Sequence, residues 1–275
     1  MQSKNVIFLF AVLLLCVLRP FAQSIPYGNN PAAGHYVQVG DARLYYETYG
    51  QGKPLVMLHG GIYGYIDEFE SLIPKLAEHY QVICIGTRGH GKSAIGHEPF
   101  SWRQRAEDAY AVTRSITKDS VIVVGFSDGG HAGLALAAFH PELVKKLVAM
   151  GAGDAPPGHP KDDDYSPARL MRTDSAFFAG RLKLMPEPAR WGEMLEWSNH
   201  LYNVENISVE TFSRIKCPVL LMAGDRDGYN SIDRMVACAK AIPDHELAII
   251  PGCDHVIFFC NFPAVWEAMK PFVLH

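Results

Sequence analysis

The amino-acid sequence predicts an α/β fold with a mostly parallel sheet. Apolar segments typical of strands recur along the chain, helical patterns fill the intervals between them, and the later strand segments are apolar throughout. Parallel strands covered on both faces have this uniform apolar character, and alternation of strands with helices favours a parallel sheet. A chain of 275 residues is long enough for one large domain or two small ones.

The predicted strands begin with a hairpin and continue as single apolar segments. The segments HYVQV and RLYYETY flank GDA and predict the hairpin. The strand segments that follow are PLVMLHG, QVICIG, SVIVVGF, KLVAMGAG, PVLLMAGD and ELAIIPG. An apolar helical face follows the first of these segments, and another ends the chain. The helix predicted after SVIVVGF is rich in small residues, which lets it lie close to the sheet.

One long interval between two strand segments has no strand pattern. Residues 154–216 begin with the loop-like stretch APPGHPKDDD and continue as helical patterns rich in aromatic residues. An insertion of this length is usually functional or forms a small subdomain. We therefore expect a helical lid at residues 154–216, inserted between two parts of one core, residues 23–153 and residues 217–275. A helical decoration without a lid function is the alternative.

The N-terminal segment has the layout of a secretory signal peptide. A short positive start, MQSK, precedes an apolar run over residues 6–18, and RPFAQS follows it. The run is shorter than the roughly 18 residues that a membrane-spanning helix needs. We expect residues 1–22 to be removed, with cleavage after Ala22 or Ser24, and a secreted or periplasmic mature chain without a membrane span. An uncleaved anchor and a lipoprotein modified at Cys16 are the alternatives.

Charge and composition limit the choice of partner. The formal net charge is −4, and the sequence has no basic run or stripe. Nucleic-acid binding needs such basic groups to neutralise phosphates, so we expect no nucleic-acid partner. The expected partner is a small-molecule substrate, and the sequence leaves the oligomeric state open.

The cysteines do not predict a metal site. Removal of the signal peptide leaves an odd number of cysteines, which cannot all pair, and these are Cys84, Cys217, Cys238, Cys253 and Cys260. Cys253 and Cys260 are seven positions apart and can pair only if their backbones approach. No spacing of cysteine or histidine resembles a zinc site, and we expect neither a metal nor a cofactor.

The stretch VVGFSDGGHAG has a serine at a predicted strand-to-helix turn. Residues 125–129 read Gly-Phe-Ser-Asp-Gly, which fits the pattern G-x-S-x-G. The turn in this motif is so sharp that larger side chains beside the serine would collide. The hydroxyl of Ser127 would then lie at the carboxyl end of a strand, above a helix N-terminus that favours negative charge. The motif predicts that Ser127 is a nucleophile.

A serine nucleophile needs a base and a carboxylate that orients the base. His255 follows the last strand segment and precedes the last helix, so its loop can reach the carboxyl edge of the sheet. Asp225 and Asp227 both follow the strand segment PVLLMAGD. We predict that His255 is the base, that Asp227 orients it, and that Asp225 holds the loop through backbone N–H groups. The sequence leaves the reverse assignment of the two aspartates open.

Attack on a carbonyl also creates an oxyanion, which needs hydrogen-bond donors placed in advance. The Gly-rich stretch MLHGGIYGY follows the third predicted strand, and its backbone N–H groups can point toward the serine. We predict that the N–H groups of Gly61 and of Asp128, next to the nucleophile, form the oxyanion hole.

Together these motifs resemble the α/β-hydrolase superfamily. The chain has the order Ser127, Asp227, His255, with HGG upstream and GFSDGG at the elbow, and GTRGHGKS and HPELVKKLV are also similar to common segments of that family. The resemblance covers residues 36–272. It implies an eight-stranded, mostly parallel sheet with helices on both faces and a small helical lid before the acid-bearing strand. Thr87 is a departure, because relatives often have an aspartate there.

The resemblance also implies an activity. It is closest to small esterases and amino-acid ester hydrolases, and it implies a serine hydrolase that cleaves small carboxylic esters, thioesters or lactones through an acyl-enzyme on Ser127. A cofactor-free haloperoxidase or perhydrolase and a carbon–carbon bond hydrolase use the same triad and stay as alternatives. Ser127 disfavours enzymes with an aspartate nucleophile. A binding protein on this scaffold would usually lack one triad member, and here all three are present.

The sequence offers a few candidates for substrate contacts. Aromatic side chains that can line an apolar pocket are Tyr63, Phe126, Trp191 and Trp197, with packing in the core or the lid as the alternative. The carboxylate of Asp128 is expected to favour the helix N-terminus. Binding of a substrate amine by Asp128 is a second hypothesis.

Overall fold

The computed structural model describes residues 25–155 and 165–275. The predicted signal peptide therefore lies outside the described residues, and so does the segment 156–164 near the start of the predicted lid. Within the described ranges, no helix has the length and apolar character needed to cross a membrane.

The described residues form one eight-stranded sheet, in the order β1-β2-β4-β3-β5-β6-β7-β8. The strands are β1 (Gly34–Val39), β2 (Ala42–Tyr49), β3 (Lys53–Leu58), β4 (Tyr80–Ile85), β5 (Val121–Phe126), β6 (Val144–Met150), β7 (Val219–Gly224) and β8 (His245–Ile250). β1 and β2 are the predicted antiparallel hairpin, β2 is antiparallel to β4, and every later pair is parallel. The eight-stranded, mostly parallel sheet predicted from the sequence is confirmed.

Helices cover both faces of this sheet. They are α1 (Leu72–Ala77), α2 (Trp102–Ile116), α3 (Asp128–Phe139), α4 (Pro167–Thr173), α5 (Ser175–Leu182), α6 (Trp191–Asn203), α7 (Val209–Phe212), α8 (Ile232–Ala241), α9 (Ile257–Cys260) and α10 (Phe262–Leu274). One core contains α2, α3 and α8, and the other contains α1 and α10. Successive residues of β5 alternate between the two cores, which is why the whole strand is apolar.

Small residues bring α3 close to the sheet, as predicted. A Cβ atom added to Gly133 would lie 2.8 Å from Cδ1 of Leu147 on β6. Real Cβ atoms essentially never approach other atoms so closely, so a larger residue here would force the Leu147 side chain or the helix to shift. The close packing fixes the N-terminus of α3, and therefore the turn that precedes it, relative to the sheet.

The described residues between β6 and β7 are mostly helical. Helices α4 to α7 occupy this interval, and an isolated bridge pairs Ala155 with Ile207. The predicted lid, residues 154–216, coincides with this interval, and its function as a lid stays a prediction.

Candidate active site

Ser127 lies alone in the turn between β5 and α3. Its backbone has φ 53° and ψ −114°. A positive φ is uncommon for a residue with a side chain and costs about 1–3 kcal/mol, so the surrounding structure must hold it. The N–H of Ser127 donates to the carbonyl of Met150 on β6 at 2.8 Å, which extends the sheet through the turn. The strained conformation exposes the hydroxyl at the carboxyl edge of the sheet.

The two glycines of the elbow motif are required for steric reasons. A Cβ atom on Gly125 would collide with the carbonyl of Gly129, and one on Gly129 would collide with the carbonyls of Leu58 and His59. These neighbours are backbone atoms, which cannot move aside as a flexible side chain can. The motif G-x-S-x-G is therefore a packing requirement of this turn.

A chain of hydrogen bonds connects Ser127 with His255 and Asp227. Nε2 of His255 lies 2.9 Å from Oγ of Ser127, and Nδ1 lies 2.9 Å from Oδ2 of Asp227. A carboxylate only accepts hydrogen bonds, so Nδ1 donates to it. In the neutral ring Nε2 is then the acceptor and faces the serine hydroxyl. The parallel strands β5, β7 and β8 bring the three loops to one edge of the sheet.

Asp227 is held independently of His255. Its Oδ1 accepts hydrogen bonds from the N–H groups of Tyr229 at 2.8 Å and Asn230 at 2.9 Å. The carboxylate is fully buried, so these two bonds fix its plane and leave Oδ2 for the imidazole. Asp225 has a different role in the structure, because its Oδ1 accepts the N–H of Gly252 at 2.7 Å and joins the two loops. The structure thus brings Asp227 to His255, in the arrangement that the sequence favoured.

A disulfide closes the loop that carries His255. Cys253 and Cys260 are bonded, with their Cα atoms 5.7 Å apart. The carbonyl of the buried Cys253 also accepts the N–H of Arg226 at 3.0 Å, one residue before Asp227. The pairing that the sequence left open is therefore formed, and it restrains the histidine loop against the aspartate loop. The cysteines Cys84, Cys217 and Cys238 are free and buried.

His59 orients the peptide that carries the Gly61 N–H. The N–H of Thr87 donates to Nε2 of His59 at 3.0 Å, so Nδ1 carries the proton and donates to the carbonyl of Gly60 at 2.6 Å. Burial holds the pKa of His59 well below its usual value, so the ring stays neutral and keeps this tautomer. The carbonyl of Gly60 and the N–H of Gly61 belong to one trans peptide and point in opposite directions. Thr87, the departure from the family pattern, still anchors this histidine.

Asp128 is committed to the protein rather than to a substrate. Its carboxylate is buried, Oδ1 lies 3.4 Å from Nε of Arg105, and Oδ2 accepts the hydroxyl of Tyr202 at 2.8 Å. The Arg105 side chain is itself fully buried. The hypothesis that Asp128 binds a substrate amine is therefore replaced by a structural role, in which Asp128 balances a buried guanidinium and joins α6 to the elbow.

Removal of the Asp128 charge should destabilise the protein strongly. We expect Asp128→Asn to lower the free energy of unfolding by about 3–5 kcal/mol, because it leaves the buried charge of Arg105 uncompensated. Urea denaturation followed by circular dichroism measures the change. Asp119→Asn, at an exposed aspartate, is the control and should change the free energy of unfolding by less than about 0.5 kcal/mol. Equal stability of the two variants would contradict this role of Asp128.

A cavity of about 590 Å³ opens over Ser127 and His255. Tyr63 and Phe126 line it, as the sequence predicted, and so does Gly61, the predicted oxyanion donor. Trp191 and Trp197 do not belong to its described lining, and here the prediction needs correction. Trp191 packs against Phe178, with ring centroids 5.6 Å apart, and Trp197 packs against Phe100 at 5.5 Å. Both are packing residues of the helical insertion.

Several lining residues were missed by the sequence analysis. They are Asp67, Glu68, Trp102, His131, Tyr165, Phe177, Arg181, Tyr202, Tyr229 and Phe259. The aromatic content of residues 154–216 was visible in the sequence, but nothing there showed which side chains face the serine. The stretch after the Gly-rich loop contains two adjacent acidic residues, and this was the available signal for Asp67 and Glu68.

Comparison with known proteins gives the family. Residues 53–208 match the family model described as alpha/beta hydrolase fold. The chain is 34% identical over 120 residues to 2-hydroxy-6-oxo-6-(2'-aminophenyl)hexa-2,4-dienoic acid hydrolase of Metapseudomonas resinovorans, an alignment that covers 42% of this chain and 41% of that protein. It is 26% identical over 266 residues to 2-hydroxy-6-oxononadienedioate/2-hydroxy-6-oxononatrienedioate hydrolase 2 of Pseudomonas putida, covering 84% and 89% of the two chains.

A solved structure shows the same fold. The enol-lactonase from Burkholderia xenovorans LB400 superimposes with a TM-score of 0.72 at 18% sequence identity, covering 88% of this chain and 100% of that one. At this level of identity the likeness concerns the fold alone. The family model matches more than half of the chain, and the sheet and the elbow have the form expected of that family. The chain therefore belongs to the α/β-hydrolase superfamily.

Proposed function

We propose that this hydrolase cleaves small carboxylic esters, thioesters or lactones through an acyl-enzyme on Ser127. The observation that carries the proposal is the continuous hydrogen-bond chain from Oγ of Ser127 through His255 to Asp227. A serine becomes a good nucleophile when an adjacent base, itself oriented by a third group, can take its proton. The chain has this arrangement on three separate loops of one sheet edge.

The proposed reaction has two halves. In the first, Oγ of Ser127 attacks the carbonyl carbon while its proton moves to Nε2 of His255, and a tetrahedral intermediate forms. His255 then gives this proton to the leaving oxygen or sulfur as the bond to the acyl group breaks. In the second half, water loses a proton to His255 and attacks the acyl-enzyme, and Ser127 leaves with the proton restored. Asp227 stabilises the imidazolium in both halves.

The oxyanion of each intermediate needs fixed donors. We assign this role to the N–H groups of Gly61 and Asp128. Asp128 is the first residue of α3, where helical N–H groups have no partner within the helix. Gly61 belongs to the peptide that His59 orients. A Cβ atom on Gly61 would collide with the hydroxyl of Tyr202, so the loop needs glycine at this position to pack against α6.

The names of the two relatives favour a second candidate, hydrolysis of a carbon–carbon bond in a hydroxy-oxo dienoate by the same serine and histidine. Such substrates carry carboxylates. Arg181 is the one arginine or lysine in the described lining of the cavity, and Asp67 already pairs with it at 2.8 Å. The same lining also holds the exposed acid Glu70. These carboxyl groups disfavour an anionic substrate, and we therefore place esters and lactones first.

A substrate panel separates the two candidates. Purified protein is assayed with p-nitrophenyl acetate, butyrate and octanoate, with a γ- and a δ-lactone, and with a 2-hydroxy-6-oxo dienoate. We expect ester or lactone kcat/KM to exceed that of the dienoate by at least about 100-fold, a difference of about 2.7 kcal/mol. Turnover of the dienoate without turnover of any ester or lactone would replace the first candidate with the second.

A further inference from the structure

Glu68 belongs to the wall of the cavity beside the Gly-rich loop. It lies in a short 3₁₀ helix, Ile66–Phe69, and its half-buried side chain lines the cavity. Its Oε1 accepts the N–H of Gly60 at 2.5 Å. Glu68 thus binds the peptide next to the one that carries the Gly61 N–H.

The second carboxyl oxygen of Glu68 is available to a substrate. Among the described residues, Oε2 has no hydrogen-bond partner, and Glu68 forms no ion pair. The charged groups around it are engaged elsewhere or also acidic. Arg181 is held by Asp67 through two contacts, at 2.9 and 2.8 Å, while Asp128 is paired with Arg105. Glu70 also lines the cavity, and it adds further negative charge.

The environment favours the neutral carboxylic acid. Burial in the cavity wall raises the pKa of Glu68 to about 8, the N–H of Gly60 opposes this shift, and the neighbouring Asp67 adds to it. Well below pH 8 the side chain therefore carries a proton. A protonated carboxyl group both accepts and donates, so Oε1 can hold Gly60 while the O–H of Oε2 is free to donate.

Gly60, which lies beside Glu68, and Gly151, which lies beside His255, flank opposite edges of the Phe126 ring. A Cβ atom added to Gly60 would lie 3.0 Å from Cδ1 of Phe126 and 3.3 Å from Oε2 of Glu68. One added to Gly151 would lie 3.2 Å from Cε2 of Phe126 and 2.9 Å from Cε1 of His255. His255 protonates the leaving group, which must therefore lie on its side of the site. Glu68 then faces the acyl group.

We propose that protonated Glu68 is a specificity-determining residue, whose Oε2–H donates a hydrogen bond to an oxygen in the acyl group of the substrate. The inference rests on the proposed function and names its substrate class. The preferred esters carry an ether, hydroxyl or keto oxygen close to the scissile carbonyl. Ionisation of Glu68 removes the donor, so the preference for such acyl groups is lost as the pH rises through about 8.

A matched pair of substrates tests this inference. p-Nitrophenyl methoxyacetate and p-nitrophenyl butyrate differ by one ether oxygen in place of a methylene group. For each variant, kcat/KM for the methoxyacetate is divided by kcat/KM for the butyrate at each pH from 6 to 9.5. The intrinsic reactivities of the two esters are the same for every variant, so they cancel when these ratios are compared. For wild type we expect the ratio to fall about fivefold as the pH rises through 8, as expected for one neutral hydrogen bond.

Two substitutions at Glu68 give opposite results. Glu68→Gln keeps an acceptor for Gly60 and a permanent N–H donor, so its ratio should stay high and no longer fall with pH. Glu68→Leu should show a ratio about fivefold below that of wild type at pH 7, without a pH dependence. Glu70→Gln, at an exposed acid of the same cavity, is the control and should keep the pH-dependent fall of wild type.

The outcomes separate this inference from the proposed function. Persistence of the pH-dependent fall in Glu68→Gln, or a wild-type ratio in Glu68→Leu, would overturn the role of Glu68. If Glu68 only supported the loop, its ionised form would still accept the N–H of Gly60. The ratio of the two kcat/KM values would then not change with pH in wild type. Labelling of Ser127 by a fluorophosphonate in every variant shows that the nucleophile still works. If wild-type protein showed neither labelling of Ser127 nor ester turnover, the proposed function would be wrong, and this inference would fall with it.

Discussion

Ser127→Ala is expected to lower kcat for ester hydrolysis by about 10⁴- to 10⁶-fold while the protein stays folded. The substitution removes the oxygen that forms the acyl-enzyme and leaves His255 without a partner for its Nε2. The residual rate would come from the oxyanion donors and from binding alone. Initial rates with p-nitrophenyl butyrate, corrected for the uncatalysed reaction, measure the effect.

The control for this variant is Ser120→Ala, which removes an exposed hydroxyl just before β5. It should retain wild-type kcat within about twofold, since surface substitutions have small effects. Far-ultraviolet circular dichroism confirms that both variants are folded. A Ser127→Ala rate within tenfold of wild type would contradict the serine mechanism.

Asp227→Asn is expected to lower kcat by about 10⁴-fold. The amide oxygen of the introduced asparagine can keep the hydrogen bonds from the N–H groups of Tyr229 and Asn230, so the loop stays in place. The amide nitrogen then faces Nδ1 of His255 and donates to it. This forces the proton to Nε2, and the imidazole can no longer accept the proton of Ser127.

Asp225→Asn is the matched control, two positions away on the same loop. Its amide oxygen can still accept the N–H of Gly252, so we expect kcat to fall by less than about tenfold. Steady-state kinetics of the two variants under identical conditions compare the aspartates directly. A larger loss in Asp225→Asn than in Asp227→Asn would reverse the assignment.

The parts of the fold that follow from local patterns were predictable from the sequence. Continuous apolar segments such as β5 and β7 indicated buried parallel strands, and the glycines around Ser127 indicated a turn that only small residues allow. The loops after β5, β7 and β8 then had to meet, because the carboxyl ends of parallel strands lie at one edge of the sheet. The approach of Ser127, Asp227 and His255 was therefore predictable from topology.

The cavity wall was not predictable in the same way. Which face of a lid helix points toward the serine depends on the angle at which it packs, and the sequence does not encode that angle locally. Trp191 and Trp197 therefore were assigned to the cavity, whereas Tyr202 on the same helix α6 lines it and bonds to Asp128. The role of Asp128 was likewise hidden, because its partner Arg105 is distant in sequence.

The loop that carries His255 has one feature that was predictable from the sequence and one that was not. Its position after β8 followed from the pattern of strands and helices. The bond between Cys253 and Cys260 joins a residue of the loop to the last residue of α9, and their backbone approach appears only in three dimensions. Export of the protein rests on residues 1–22 and stays a prediction from the sequence.

Direct detection of the acyl-enzyme tests the central claim. The protein is mixed with p-nitrophenyl butyrate, quenched in acid within the first turnovers, digested and mapped by mass spectrometry, with Ser127→Ala treated in parallel. We expect one butyryl group on the peptide that contains Ser127, and none in the variant. Turnover with the butyryl group on another residue, or with none on Ser127 during a burst of p-nitrophenol, would contradict it.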